Sequence, residues 1–413
     1  MPDPKLHSTL TSFISTALQP ALLDPGEAPL PLTPDHWSLS EWNNRLVLEA
    51  WDAHRNIVRK ILALKSQRRD RLTLITERFR KPEAELEIAD LAAPGGQELE
   101  RRASRIAFCE RFRLMLAREW PEWQIVEVSA DANLEASLST SYARALLKQG
   151  ATGVAVLAAP PDSAPCSGIV PAGLIWLDHL RRRERTLTIG RLFLYVPHGN
   201  ERETAFRLSC LDPVRLYCRL FAYDARDRAG LVDLSDVGNV ESTLPPCGLT
   251  GRRRLHLENG PEAFLEAQVR AHPESIDASL CRSPIYGQVP VFAAGDRGVI
   301  DLLGIDHTGR LVVIELKATA DLQLPFQALD YWMRVSKHLD AGDFERLGYF
   351  AGHVISREPP RILLVAPALE FHSTSETMIE SLAPLIDVTR IGLAAGWRDT
   401  LRVMFRLRGA EHP

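Results

Sequence analysis

Asp301, Glu315 and Lys317 are the side chains whose types and spacing could do chemistry together. They lie on two apolar runs, residues 299–306 and 310–317, joined by His307, Thr308 and Gly309. A three-residue loop with glycine last is a favoured hairpin connection, because that position takes a positive φ that glycine adopts freely. If Asp306 pairs with Arg310, the register carries Asp301 opposite Glu315 and Val299 opposite Lys317. Strand side chains alternate, so Glu315 and Lys317 share a face, and two carboxylates meet an ammonium within roughly 5 to 7 Å. A two-residue loop would shift the pairing by one and send Asp301 to the other face.

The strands are apolar on both faces. Ile300, Leu302, Val312, Ile314 and Leu316 form one, and Val299, Leu303, Leu311 and Val313 the other. Charges in such surroundings are costly unless paired or metal-bound. Adjacent carboxylates repel, and a hard oxygen-seeking cation such as Mg²⁺ relieves that repulsion while keeping waters for chemistry. Glu-x-Lys alone is an ordinary surface ladder; the opposed aspartate in a buried hairpin separates this case from it.

The elements that must position these residues occupy the last third of the chain. A helix over 262–272, opened by Pro261 and closed by Pro273, precedes strands at 288–292, 299–306 and 310–317. A helix over 325–339, a strand at 362–365 and weaker strands near 388–391 and 401–405 follow. The order α-β-β-β-α-β predicts a mixed sheet flanked by helices, an α/β domain over 255–413. Upstream, residues 105–245 read as a second mixed α/β domain. It has a helix at 108–119, a strand at 124–128, an apolar run at 153–158, a helix at 172–183 and strands near 186–196 and 204–211. Residues 1–100 read as an N-terminal helical segment and linker. Trp42, Leu46, Leu48, Ala50, Ile57, Ile61 and Leu62 recur near helical spacing over 37–80, and Pro82 with Gly95 and Gly96 marks the linker. The stretch 244–251 is the second boundary.

With 413 residues, 45% hydrophobic and 25% charged, the chain has a globular composition of two or three domains. No apolar run reaches the roughly 18 residues of a membrane helix, and a cytoplasmic location is expected. Six scattered cysteines without a C-x-x-C pair predict reduced thiols rather than zinc or disulfides. A net charge of -4 excludes a globally basic nucleic-acid binder, so any such contact must be local. Candidate clusters are Arg181 to Arg183 with Arg185, Arg252 to Arg254, and Lys65 with Arg68, Arg69 and Arg71, each of which can equally be a solvated face. Phosphate-loop, zinc-peptidase and nucleophile-elbow motifs are absent.

Over residues 259–370 the order helix, aspartate, then Glu-x-Lys on neighbouring strands resembles the PD-(D/E)XK nuclease superfamily. Asp301 matches its aspartate, Glu315 and Lys317 its E-x-K pair. Glu262 is similar to the glutamate of the leading helix, with Glu266 one turn later as a rival. Gln327-x-x-x-Tyr331 resembles the glutamine and tyrosine of the RecB-like branch, or packs helix against sheet; i, i+4 spacing puts both on one face, continued by Arg334 and His338. Ile300 stands where the superfamily name has proline. The resemblance implies a restriction-endonuclease-like αβββαβ domain and a metal-dependent endo- or exonuclease hydrolysing phosphodiester bonds. Its cofactor would be Mg²⁺ or Mn²⁺ on Asp301 and Glu315, with Lys317, Glu262, Gln327 and Tyr331 completing the site and nucleic acid, DNA before RNA, as partner. A homodimer is the assembly expected of nucleases that cut both strands. The alternative is a silent nucleic-acid-binding or interaction protein that keeps the fold.

Overall fold

The computed structural model describes residues 4–78, 81–163, 166, 168–234, 242–247, 260–293 and 296–409. It divides into two compact units, one of residues 1–132 with 139–149, the other of residues 133–138 with 150–413. The cluster Arg252 to Arg254 and part of the 244–251 stretch lie outside the described residues.

In the first unit, helix α1 (Pro4–Thr16) is followed by strands β1 (Pro20–Leu23), β2 (Leu30–Pro31), β3 (Trp37–Trp42), β4 (Arg45–Trp51), β5 (Asn56–Gln67), β6 (Arg71–Arg78) and β7 (Lys81–Asp90). They form one antiparallel sheet in the order β2-β1-β7-β6-β5-β4-β3. Leu10 and Ile14 of α1 pack on Leu22, Leu48, Ile61, Leu72 and Leu86 of its inner face. The helix expected over 37–80 is therefore wrong. Leu46, Leu48 and Ala50, spaced by two as on one face of a strand, join the core under α1, whereas Val47, though buried, does not. Ile57 and Ile61 fit both periods, and bulges between Ile61 and Ala63 and between Leu64 and Ser66 break the alternation where it would have disclosed the strand.

The expected linker instead holds β7 and the start of α2 (Gly96–Glu119). Gly95 caps that helix at φ 86°, and a Cβ on Gly96 would stand 2.3 Å from the Leu91 carbonyl oxygen, so the glycine pair serves a helix start. Strands β8 (Gln124–Ser129) and β9 (Ala143–Gln149) then pair antiparallel.

The second unit carries two sheets. In the first, β10 (Thr152–Ala158), β11 (Thr188–Pro197) and β12 (Tyr217–Tyr223) run parallel, and β13 (Ala229–Leu231) pairs antiparallel with β12. Helix α3 (Ile169–Arg183) lies on β10 and β11. Residues 204–211, expected as a strand, belong largely to helix α4 (Glu201–Ser209), whose buried Thr204, Arg207 and Leu208 follow i, i+3, i+4 spacing.

The second sheet runs β14 (Ser242–Thr243), β15 (Tyr286–Ala293), β16 (Asp296–Ile305), β17 (Leu311–Leu316), β18 (Arg361–Pro367), β19 (Asp387–Leu393) and β20 (Val403–Arg408), in that order. Only the β17-β18 and β18-β19 pairs are parallel. The mixed sheet agrees with expectation. Helices α5 (Pro261–Ala271) and α6 (Pro273–Ile276) lie between β14 and β15, α7 (Leu324–Asp340) and α8 (Asp343–Arg346) connect β17 to β18, and α9 (Ser375–Glu380) precedes β19. Leu302, Val312, Ile314 and Leu316 pack with Leu265 and Val269 of α5, while Leu303, Leu311 and Val313 pack with Val335 and Leu339 of α7. Ile300, expected beside Leu302, joins the α7 side, next to Gln288, which takes a left-handed conformation within β15. Helix α9 contacts both α3 and α7, and Leu211 bridges Leu382, so both sheets belong to one unit.

Among the described residues no helix is long and apolar enough to cross a membrane. All six cysteines are free.

Candidate active site

The turn between β16 and β17 sets the register. Gly309 adopts φ 84°, and a Cβ there would lie 2.1 Å from the Val354 carbonyl oxygen. Asp306 is buried and its Oδ1 accepts from the Thr308 amide at 2.9 Å, the Thr308 hydroxyl at 2.6 Å and the Arg310 amide at 3.0 Å. The Asp306 amide donates to the Arg310 carbonyl at 3.0 Å, and pairing continues from Ile305 with Leu311 to Leu302 with Ile314. One more step puts Asp301 opposite Glu315, the expected register. There the ladder opens, and an Asp301 carboxylate oxygen accepts the Leu316 amide at 3.0 Å.

Glu315 is only 2% exposed, and its Oε2 is buried without a hydrogen-bond partner. Its other oxygen lies 3.8 Å from Lys317 Nζ, which also stands 3.8 Å from Asp321 Oδ2. Burial raises the Glu315 carboxyl well above the usual range, and the Asp301 charge adds to the rise against the Lys317 ammonium. Burial likewise raises Asp301, to about 6, opposed by the Leu316 amide and Lys317 and reinforced by Glu266 and Glu262. Acids thus outnumber cations in this cluster.

Both helix glutamates stand within electrostatic reach of these acids. Glu262, in the first turn of α5, bears on Asp301 and Glu315, whereas Glu266 bears on Asp301 and accepts from Gln288 Nε2 at 2.7 Å. Burial raises the Glu266 carboxyl, with Gln288 and Arg270 opposing. Gln288 falls opposite Asp301 in the β15-β16 register and sits at φ 51°, a left-handed conformation that non-glycine residues adopt at a cost. Sequence reading missed Gln288 and Asp321; a glutamine inside an apolar strand opposite Asp301 was the available signal for the first.

On α7, Tyr331 is raised by burial, then by the Glu315 and Asp301 charges, and its hydroxyl accepts a hydrogen bond from the Val299 backbone. Gln327 Oε1 is buried without a partner. The Arg334 guanidinium lies 6.0 Å from the Tyr331 ring. His338 does not continue the polar stripe, since it is buried with Nδ1 2.7 Å from Asp343. Trp332 is also a core residue, donating to the Pro360 carbonyl at 2.7 Å. Asp330, beside Tyr331, is gripped at both oxygens by Arg207 of α4, which is 5% exposed at its side chain, so the middle sheet's helix anchors α7.

Among the described residues no group of three or more His, Cys, Asp or Glu is arranged to hold a metal. Two carboxylates with mutual repulsion and a partnerless Glu315 oxygen fit a cation such as Mg²⁺, which takes one or two protein carboxylates and fills its remaining positions with water and phosphate.

No known protein family matches the sequence, and no curated protein does. Among solved structures the chain is similar to the crystal structure of a repair endonuclease from Pyrococcus abyssi, at 24% identity and TM-score 0.22 over 30% of this chain. The match spans 43% of that protein's length. It is also similar to EndoMS in apo form, at 14% identity and TM-score 0.15, over 49% of this chain and 90% of that one. Scores this low leave the chemistry to rest on the residues themselves.

Proposed function

We propose that the domain built on β15 to β20 is a PD-(D/E)XK-type nuclease that hydrolyses phosphodiester bonds in DNA, with the restriction-endonuclease-like core and the RecB-like glutamine and tyrosine. The observation that carries the reading is Glu315, a buried carboxylate with a partnerless oxygen, beside Asp301 and Lys317. A surface ladder would leave these charges in water, and a structural ion pair would satisfy both oxygens.

Asp301 and Glu315 would hold Mg²⁺ or Mn²⁺, which when bound supplies charge withdrawal from a phosphate and a more acidic bound water. The Leu316 amide fixes the orientation of the Asp301 carboxylate. Lys317, the cation against both acids, orients the attacking water and offsets negative charge growing on the phosphate. Glu262 and Glu266 add negative charge around the same carboxylates, and Gln327 on α7 has a side-chain oxygen without a partner. Tyr331, its proton held firmly, is a hydrogen-bond donor for a phosphate oxygen.

Purified protein is expected to cut DNA with Mg²⁺ or Mn²⁺ and to lose that activity on Lys317→Ala. Cleavage that survives both EDTA and Lys317→Ala would remove the assignment. Binding without product in either metal would leave a silent nucleic-acid binder on the same fold.

A further inference from the structure

The middle sheet carries an arginine and aromatic cluster that the candidate active site does not use. On β11, Leu192 and Leu194 turn toward Gly173 of α3, so Arg191, Phe193 and Tyr195 occupy the opposite face. The parallel register sets Arg191 beside Tyr217, Phe193 beside Arg219 and Tyr195 beside Phe221. The result is a ladder of rings. Its inner rungs, Tyr195 stacked on Phe221 at 4.7 Å, are buried, while Tyr217 at the outer end is 47% exposed.

Two guanidiniums flank that outer ring. Arg191 lies 5.9 Å from its centre and Arg219 5.3 Å, with Arg219 Nε donating to the Tyr217 hydroxyl at 2.6 Å. Arg219 also lies 5.7 Å from the Phe193 ring. Among the described residues neither arginine pairs with a carboxylate. Three arginines of the 181–185 cluster are by contrast engaged. Arg182 pairs with Asp178, Arg183 with Glu184, and Arg181 donates to the Ile189 carbonyl.

Two unneutralised guanidiniums on an acidic chain call for an anion, and planar groups beside them call for a flat apolar partner. An unpaired nucleic-acid strand offers both, since its base faces are open for stacking and each residue carries a phosphate. A duplex offers only phosphates to such a surface, and an acidic peptide has no use for the ring. We propose that Arg191, Tyr217 and Arg219 form a binding site for single-stranded nucleic acid. It rests on the nuclease reading for its purpose, which is to hold a strand for the Asp301 and Glu315 site, and on separate residues for its observations.

The test is fluorescence anisotropy of the full-length protein with a labelled oligothymidylate, over a range of KCl in EDTA. Tyr217→Ala is expected to weaken binding by about tenfold and Tyr217→Phe by less than about twofold, since phenylalanine keeps the stacking plane. Replacing Arg191 and Arg219 together by glutamine should reduce the salt-dependence slope by about 1.4, at about 0.7 per phosphate contact. A melting curve equal to wild type shows that each variant is folded. No binding by wild type, or equal affinity and slope in all variants, overturns the proposal. Loss with the glutamine pair but not with Tyr217→Ala overturns it in favour of an acidic partner. Wild-type binding lost in Tyr217→Ala, with no cleavage in Mg²⁺ or Mn²⁺, upholds this site and ends the nuclease reading; cleavage with unaltered binding does the reverse.

Discussion

Two β regions of this chain carry many charges and treat them in opposite ways. In the antiparallel sheet of the first unit, Lys60 faces Glu77 at 3.1 Å and Arg71 faces Glu87 at 3.5 Å, and Lys65 pairs with Glu85, all open to solvent in part. In the β16-β17 hairpin, Asp301, Glu315 and Lys317 form a cluster in which acids outnumber the cation and one buried glutamate oxygen has no partner. A paired, hydrated charge contributes little to stability, whereas a buried, under-compensated one costs stability and is retained where it does something else. Pairing together with burial, and not the presence of charge, separates a structural ladder from a chemical site.

Lys317 carries the largest expected effect. Lys317→Ala should lower kcat for DNA cleavage by about 10²- to 10³-fold while the protein stays folded, as removal of one preorganised charge-stabilising group does elsewhere. Lys65→Ala measured in the same assay should leave kcat unchanged, and a comparable loss in both would erase the distinction.

Stability against pH is the next largest effect. The Asp301 carboxyl is raised from 3.8 to about 6, so the folded state holds this proton more tightly than the unfolded one. The resulting cost is absent below pH 3.8, grows as pH rises and is complete above about pH 6, at about 3 kcal/mol. Glu315 acts in the same direction. Metal-free Asp301→Asn should therefore gain stability over wild type as denaturant titrations move from pH 4 to pH 7, and Mg²⁺ should raise the Tm of wild type alone. A gap that does not change with pH would show that Asp301 is not strained by burial.

The hairpin turn comes third. Gly309→Ala places a side chain at φ 84° and against the Val354 carbonyl, which should cost at least about 1 to 2 kcal/mol by denaturant titration. Since that turn holds Asp301 opposite Glu315, cleavage should fall with it; a neutral substitution would mean the register is set elsewhere. The smallest effect sharpens the other side of the comparison. Lys65→Ala should change stability by less than about 1 kcal/mol, and less still at high salt. A larger loss would mean that the exposed ladder also holds a strained charge.

The hairpin was legible because its signals are local. Loop length and Gly309 fix the register, and a period of two fixes which residues share a face, so Asp301, Glu315 and Lys317 could be placed from spacing alone. Over 37–80 the sequence does not disclose its strands, because bulges at Ile61 and Leu64 spoil the alternation and Ile57 and Ile61 are spaced by a number that suits helix and strand alike. Residues 204–211 failed for a related reason, a short segment with too few periods to separate the two.

What the sequence determined by itself, then, is the hairpin, its three charged residues and the α/β order of the C-terminal third. Tertiary structure alone decided that Gln288 meets Glu266 across from Asp301, that Arg207 grips Asp330 across 123 positions, and that Arg191, Tyr217 and Arg219 gather on one face. A turn constrains only its neighbours along the chain. Which distant strands and helices lie side by side depends on how whole apolar faces are buried, and no local spacing encodes that.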